Sequence, residues 1–445
     1  MDSGSASWPQ PLRRMRDGTV KQVNPYSGTS VWTVPRRGNR PVLDRPEPAP
    51  PLDPDLAGRY CAFCELRYLE TPPEKSRLER AGDDWVSRSG LSLAEVLARP
   101  AEFRCISNLV EIVSYDYWRL NYGYEADDAA RARFAAYVAD PAGRDHVLDL
   151  AGRRAAAAGE SAADWADLTP EQRLATGVAF FAGGHDVVVA RRHVVDGSNG
   201  PGQLASAGAL SVDDHRHYVA FTVEALRELY ETNPNVRYVA VFQNWLRGAG
   251  ASFDHLHKQL VAIDERSSRM EVELSRVRAN PDFYNEAALG YAAGQGLVVA
   301  ENAEAIAYAG FGHRYPSIEV FSKAPSGRPW RQTPDQVDAM ADLLHACHAA
   351  TGAEVASNEE WHHRWPDLDL ALPWRIVLKW RLSTLAGFEG GTKIYLNTID
   401  PWQLRDRVVD RLSGLRESGA LAPGIAVGEE CPARPNTLRY RDGRE

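Results

Sequence analysis

The stretch GAGASFDHLHKQLVA, residues 248–262, sets two histidines and a glutamine at every second position directly after a loop of small residues. A strand repeats its side-chain direction every two residues, so His255, His257 and Gln259 point one way and Leu256, Lys258 and Leu260 the other. An imidazole of ordinary pKa, about 6.5, is roughly three-quarters neutral at pH 7 and can attack phosphorus without a separate strong base. A half-buried strand whose histidines merely satisfy local hydrogen bonds is the competing reading. The small residues around Gly250 weigh against it, because they let backbone amides and the Ser252 hydroxyl come close to an anion. Gln259 adds an amide donor that cannot take up a proton. Together these residues suit phosphoryl chemistry, which chiefly needs positioning and neutralisation of oxygens.

Such a face needs a strand held between neighbours, and the surrounding sequence supplies them. HDVVVA (185–190) reads as a buried strand, SVDD (211–214) opens a helix reaching about Thr232, and YVAVFQN (238–244) is the next strand. Val219, Val223, Leu226 and Tyr230 share one face of that helix. A weaker version of the pattern recurs in SIEVFS (317–322), a helix from Thr333-Pro334 to a stop at Gly352, and WRIVLKWRL (374–382), which suggests an internal duplication. Val337, Met340, Leu344 and Cys347 lie on one face of the second helix, which makes Cys347 a core residue. NPYSGTSVWTVP (24–35) offers a turn and a strand, residues 36–56 are too rich in proline for a helix, and the alanine-rich segment 126–175 reads as a helical insertion.

The bulk properties narrow the class. A chain of 445 residues, 44% of them hydrophobic, fills sizeable cores. Its net charge of -9 argues against nucleic acid as a partner, although local arginines can bind phosphate. No run approaches the length of a membrane span and the amino terminus lacks a signal peptide, so the expectation is a cytoplasmic protein with no membrane partner. Five cysteines argue against a disulfide framework. Cys61 and Cys64, in CAFC, have the spacing with which two thiolates grip one zinc ion, and tetrahedral zinc then needs two further ligands. A redox dithiol is the alternative, but neither a thioredoxin-like βαβ pattern nor a helix start accompanies the pair.

GAGASFDHLHKQLVA resembles the active-site signature of galactose-1-phosphate uridylyltransferases, the transferase branch of the histidine triad superfamily, which reads His-Pro-His-x-Gln after a glycine and serine loop. The resemblance implies that His257 becomes covalently nucleotidylated, that Gln259 and Ser252 contact the transferred phosphate, and that Asn244 and Gly250 belong to the same binding site. Leu256 stands where the family usually has proline, and Lys258 where glycine is common. NPYSGTSVWTVPRRGNRP (24–41) is similar to the family's amino-terminal segment and places Arg37 and Arg40 near phosphate or in a dimer contact. FRCISNLVEI (103–112) is similar to the strand whose asparagine holds the nucleotide, here Asn108, and the aromatic run after it is either a pocket wall or core. GFEGG (387–391) resembles a motif whose glutamate, here Glu389, contacts sugar hydroxyls.

The resemblance also implies one structural zinc ion, held by Cys61, Cys64, His193 and His255. A second metal site known in some members is expected to be absent: EWHHRWP keeps a Trp-His step at His362, but WRIVLKWRL lacks the family's histidine pair. The fold implied is α+β, a pseudo-duplicated histidine triad architecture with an antiparallel sheet and packed helices. Its parts are a strand and proline-rich arm (1–56), a catalytic half (57–265), a second half (266–417) and a tail (418–445). The activity implied is transfer of a nucleoside monophosphate between a nucleotide sugar and a sugar 1-phosphate in a homodimer. Alternatives are an adenylyl-transferring phosphorylase, a nucleotide hydrolase, and a non-catalytic nucleotide-binding module. The hydrolases usually carry a third histidine where this chain has Gln259.

Overall fold

A computed structural model of the chain describes residues 10–35, 53, 56, 58–197, 203–432 and 434–442. The chain divides into two compact units, one of residues 49–265 and one of residues 1–48 with 266–445. Arg37 and Arg40 lie outside the described residues.

In chain order the first strands are β1 (Leu12–Arg14), β2 (Val20–Val23) and β3 (Ser30–Thr33), an antiparallel meander. They belong to the unit that also holds residues 266–445. The unit of residues 49–265 follows, with β4 (Glu74–Ala81), β5 (Asp84–Ser89), β6 (Phe103–Ser107), β7 (His185–Ala190), β8 (Tyr238–Trp245) and β9 (His257–Ile263). They hydrogen-bond in the order β5-β4-β6-β7-β9-β8, every pair antiparallel. β7 is buried at all six positions, as an unbroken Val-Val-Val core demands in the middle of a sheet covered on both faces.

The helix Val212–Thr232 connects β7 to β8 and is capped by Ser211, whose side chain accepts the Asp214 N–H. It buries Tyr218, Val219, Phe221, Val223, Leu226 and Leu229, while the Tyr230 hydroxyl accepts the Val239 N–H at 3.0 Å and ties the helix end to β8. Between β6 and β7 the alanine-rich segment forms helices Asp128–Ala139, Pro141–Ala157, Ala162–Asp167 and Pro170–Ala175, each begun by an Asp, Ser or Thr cap. The aromatic run after Asn108 forms the helix Tyr115–Tyr122, in which Trp118 is core while Tyr117 and Tyr122 are surface residues that both donate to Asp264.

The other unit continues with β10 (Val298–Glu301), β11 (Ala305–Gly310), β12 (Ser317–Ser322), β13 (Ser357–His362), β14 (Arg375–Trp380), β15 (Ile394–Asn397) and β16 (Ala426–Val427). Its larger sheet runs β16-β10-β11-β12-β14-β13, also antiparallel, and β15 pairs in parallel with β3 to complete a four-stranded sheet. The capped helix Pro334–Thr351 connects β12 to β13, ends at Gly352 (φ 88°), and holds Cys347 fully buried. Five strands of each unit thus follow the same order, β4-β6-β7-β9-β8 and β10-β11-β12-β14-β13, with a long helix at the same connection, a duplicated α+β architecture; the edge strands β5 and β16 come from different points in the chain order. Beyond residue 417, β16 adds to the sheet edge, and Leu438 and Tyr440 are buried. Among the described residues no helix is long and apolar enough to cross a membrane.

The core of this second unit carries buried charge. Arg375, its side chain 4% exposed, pairs with Glu273 at 2.8 Å, lies 3.9 Å from the fully buried Glu319, and stacks over the Tyr26 ring. His313 reaches the other Glu319 oxygen at 2.8 Å. Arg375→Ala leaves Glu319 and Glu273 short of a cation and is expected to lower the unfolding free energy by about 3–5 kcal/mol. Denaturant titration checks this; a loss below about 1 kcal/mol would mean that water or His313 alone compensates those carboxylates.

Candidate functional site

β9 begins at His257, because the preceding residues turn out of the Gly-Ala loop; their backbone meets β7 where the Ala190 N–H donates to the Leu256 carbonyl at 3.0 Å. β9 pairs with β7 through Val189 opposite His257 and Val187 opposite Gln259, so both functional side chains share one face. Lys258 takes the other face: it is fully buried, its ammonium donates to Gln243 at 3.1 Å and lies 4.7 Å from the Tyr218 ring centre. The lysine that departs from the family pattern is therefore part of the packing beneath the long helix and does not stand beside His257.

His257 is 4% exposed. Its Nδ1 lies 2.6 Å from the His255 carbonyl oxygen, a contact that requires the proton on Nδ1 and leaves Nε2 as the basic nitrogen. Burial lowers its pKa to about 4, against the opposing pull of that hydrogen bond, so the ring is neutral at pH 7. Phe63 packs on it, with ring centres 5.0 Å apart, and touches Phe253 at 4.8 Å, while its own base rests on Ile106, Val187 and Val189. Phe63 lies inside the CAFC loop, so the cysteine loop and the candidate nucleophile are packed together. The spacing of the cysteines draws attention away from the aromatic residue between them.

The loop before β9 is built differently from the expectation. Leu246 at φ 64° and Gly250 at φ 91° frame a tight turn over Arg247–Ala249. The Gly250 N–H donates to Arg247 O at 2.9 Å and the Ala251 N–H to Leu246 O at 3.3 Å. These two amides are engaged in the turn, so Gly250 serves the backbone path, while Ser252 in the same loop is exposed. Asn244 lies on β8 two residues beyond Phe242, the residue opposite Gln259, and so on the same face of the sheet.

Asn108 directly follows β6. Its N–H donates to the His185 carbonyl at 2.7 Å, its Oδ1 accepts the Val110 N–H at 3.0 Å, and its Nδ2 lies 3.2 Å from His185 Nε2. The same Nε2 lies 3.1 Å from Gln259 Oε1. His185, the first residue of β7, thus brings Asn108 and Gln259 together; sequence reading placed it only as the start of a buried strand. Its place directly before a valine run, eight residues ahead of His193, is the signal that the sequence offers.

Cys61, Cys64, His193 and His255 converge. Their separations are 3.8 Å between the sulfurs, 3.4–3.8 Å from sulfur to either histidine Nδ1, and 3.2 Å between the two Nδ1 atoms. A tetrahedral ion with ordinary zinc bond lengths sets these at about 3.8, 3.6 and 3.3 Å. The four residues therefore fit such an ion. His255 Nε2 lies 2.6 Å from the Ala190 carbonyl, to which it donates, so Nδ1 turns its lone pair to the cluster. The hydrogen bond within the cysteine pair holds one proton, raising Cys61 and lowering Cys64, and a divalent cation is what lets both sulfurs be thiolates. The arrangement can hold a metal. Among the described residues no other group of His, Cys, Asp and Glu converges in this way.

Two other expected residues belong to the second unit. Glu389 is buried in the short helix Gly387–Thr392, where its carboxylate accepts the Ala386 N–H at 3.1 Å. His362 ends β13 opposite Arg375, and β14 offers Arg375, Val377 and Lys379 along that face with no histidine.

Comparison with known proteins agrees with this geometry at the level of fold. The chain is similar to the crystal structure of an ADP-glucose phosphorylase from Arabidopsis thaliana with bound ADP-glucose, with a TM-score of 0.57, 17% identity, and 88% of this chain and 97% of that chain covered. It is also similar to a GalT-like protein from Arabidopsis thaliana, with a TM-score of 0.54, 17% identity, and 87% and 97% covered. The resemblance to the galactose-1-phosphate uridylyltransferase family read from residues 248–262 is thus matched by the fold. No curated protein matches the sequence significantly. A family model does, over residues 15–440, and the chain belongs to that family, described as Domain of unknown function (DUF4921).

Proposed function

We propose that the chain is a nucleotidyltransferase that carries a nucleoside monophosphate on His257 between a nucleotide sugar and a phosphate acceptor. The observation that supports this best is the tie between His257 Nδ1 and the His255 carbonyl, which makes Nε2 the nucleophilic nitrogen of a neutral, immobilised ring. In the first half-reaction Nε2 attacks the α-phosphorus, a P–N bond forms, and the bridging P–O bond breaks with its electrons leaving on the sugar 1-phosphate. In the second, a phosphate oxygen of the acceptor attacks the same phosphorus, the P–N bond breaks, and the ring regains its lone pair. Gln259, Asn108, Asn244 and Ser252 donate to the phosphate oxygens during both steps.

Gln259 favours transfer over hydrolysis, because a third histidine there would offer water a base. The signature around His257 supports a uridylyl donor, while the likeness to an ADP-glucose phosphorylase over most of the chain supports an adenylyl donor with inorganic phosphate as acceptor. Intact-protein mass spectrometry after brief incubation with UDP-, ADP- and GDP-sugars distinguishes them: the expected outcome is a gain of one nucleoside monophosphate with one donor, lost in His257→Ala. Binding of a donor with no adduct and no exchange of labelled sugar phosphate would sink the transferase reading in favour of a binding module.

The metal held by Cys61, Cys64, His193 and His255 is taken to be zinc, in keeping with two thiolates, two imidazoles and a tetrahedral arrangement. With four protein ligands it has no open position, and its contribution is to fix the backbone that presents His257. Elemental analysis is expected to find one zinc per chain in the wild type and less than a tenth of that in Cys61→Ser. Stripping the metal is expected to lower the unfolding midpoint by about 10 °C; an unchanged midpoint would mean that the cluster is not a structural metal site.

A further inference from the structure

We propose that His185 is a positioning residue that orients the amide of Gln259 toward the phosphate; this rests on the nucleotidyl-transfer reading above. The ring is 1% exposed, at the first position of β7, and its backbone is fixed by pairing with Val261 and by the Asn108 N–H. Its Nδ1 accepts the Ile112 backbone N–H at 3.1 Å. A neutral imidazole carries one proton, so that proton is on Nε2. Nε2–H then donates to Gln259 Oε1 at 3.1 Å, which turns the Gln259 NH2 group away from the ring.

Asn108 is constrained by the same nitrogen. Its Oδ1 is taken by the Val110 N–H, and its Nδ2, 3.2 Å from His185 Nε2, faces an atom that already bears a hydrogen. The Asn108 amide hydrogens must therefore go past the ring. The tautomer sets the sense of the Gln259 amide, while Val110 sets that of Asn108, and the tautomer is enforced by a backbone donor, the Ile112 N–H, that no side-chain rotation can move. A cationic ring is incompatible with this arrangement, since Nδ1–H would oppose the Ile112 N–H, and burial holds the pKa down to about 4.

The consequence is electrostatic. An amide has donor and acceptor ends of nearly equal size, and a flipped Gln259 would turn its carbonyl oxygen toward anionic phosphate oxygens. Donors aimed at charge developing in a transition state are each worth about 10²–10³ in rate. A histidine with only a packing role would affect stability without acting through Gln259.

The test measures the rate of nucleotidyl-His257 formation with whichever donor labels the wild type, in His185→Leu, His185→Asn, His185→Gln, Gln259→Ala and the double variant His185→Leu with Gln259→Ala. Leucine removes the ring's polar contacts, asparagine cannot reach the Nε2 position, and glutamine can place an N–H there. The expected result is a slowing of about 10²-fold in the Leu and Asn variants with zinc content and donor affinity within a few-fold of wild type. Glutamine should recover at least ten-fold of that loss. The double variant should be no slower than Gln259→Ala, because the two residues act as one unit. Multiplicative losses in the double variant, a wild-type rate in Leu or Asn, or no recovery with Gln each overturn the proposal. If His185→Leu does not fold, Asn against Gln carries the comparison. If the wild type forms no adduct with any donor, the nucleotidyl-transfer reading fails and this proposal with it; adduct in the wild type with multiplicative losses overturns the role of His185 alone.

Discussion

His255 makes three connections on which the site depends. Its Nδ1 faces the two cysteine sulfurs and His193, its Nε2 donates to the Ala190 carbonyl at the end of β7, and its own carbonyl receives the His257 proton. The metal cluster, the β7–β9 pairing and the tautomer of His257 are therefore one mechanical unit. An ion that fixes the His255 ring also fixes the carbonyl two bonds from its Cα, and that carbonyl decides which nitrogen of His257 is basic.

Burial sets the second constraint. β7 and β9 lie within a covered sheet, so each polar side chain there must find a partner or lose the free energy of desolvation. Lys258 meets Gln243 and the Tyr218 ring on the helix side. His185 meets Ile112 and Gln259. The same rule that keeps the strand stable locks these side chains into single orientations.

The sequence carried the site's inventory better than its wiring. Two-residue alternation was enough to place His257 and Gln259 on one face and Lys258 on the other, and the cap and stop residues Ser211, Thr333 and Gly352 marked the long helices closely. The fold class and the duplication were legible because the strands are apolar runs of ordinary length between clear helix signals. Three features were not. The Gly250 and Ala251 amides are consumed by a turn, because Leu246 adopts a positive φ that no composition signal announces. Phe63 and His185 act through contacts with residues tens to hundreds of positions away, and such contacts have no periodicity to read. The carboxy-terminal residues join a sheet edge through a strand of only two residues, Ala426 and Val427, too short for any pattern.

The duplication lets the positions of His257 and Gln259 be compared with their counterparts in the other unit. His257 opens β9 opposite the fifth residue of β7, Val189, and Gln259 lies opposite the third, Val187. In the other sheet Arg375 opens β14 opposite the fifth residue of β12, Phe321, and Val377 lies opposite the third, Glu319. Arg375 thus occupies the place of His257, Val377 that of Gln259, and Ser317 that of His185. A guanidinium retains its proton throughout the physiological range, and the carboxylates of Glu273 and Glu319 hold it more firmly still. It offers no lone pair to phosphorus, and the carboxylates around it would repel a phosphate that approached. An imidazole at this position can be neutral when buried; a buried arginine must be paired, and Glu273 and Glu319 supply the pairing. The same register position therefore carries a neutral ring in one unit and the centre of an ion-paired core in the other.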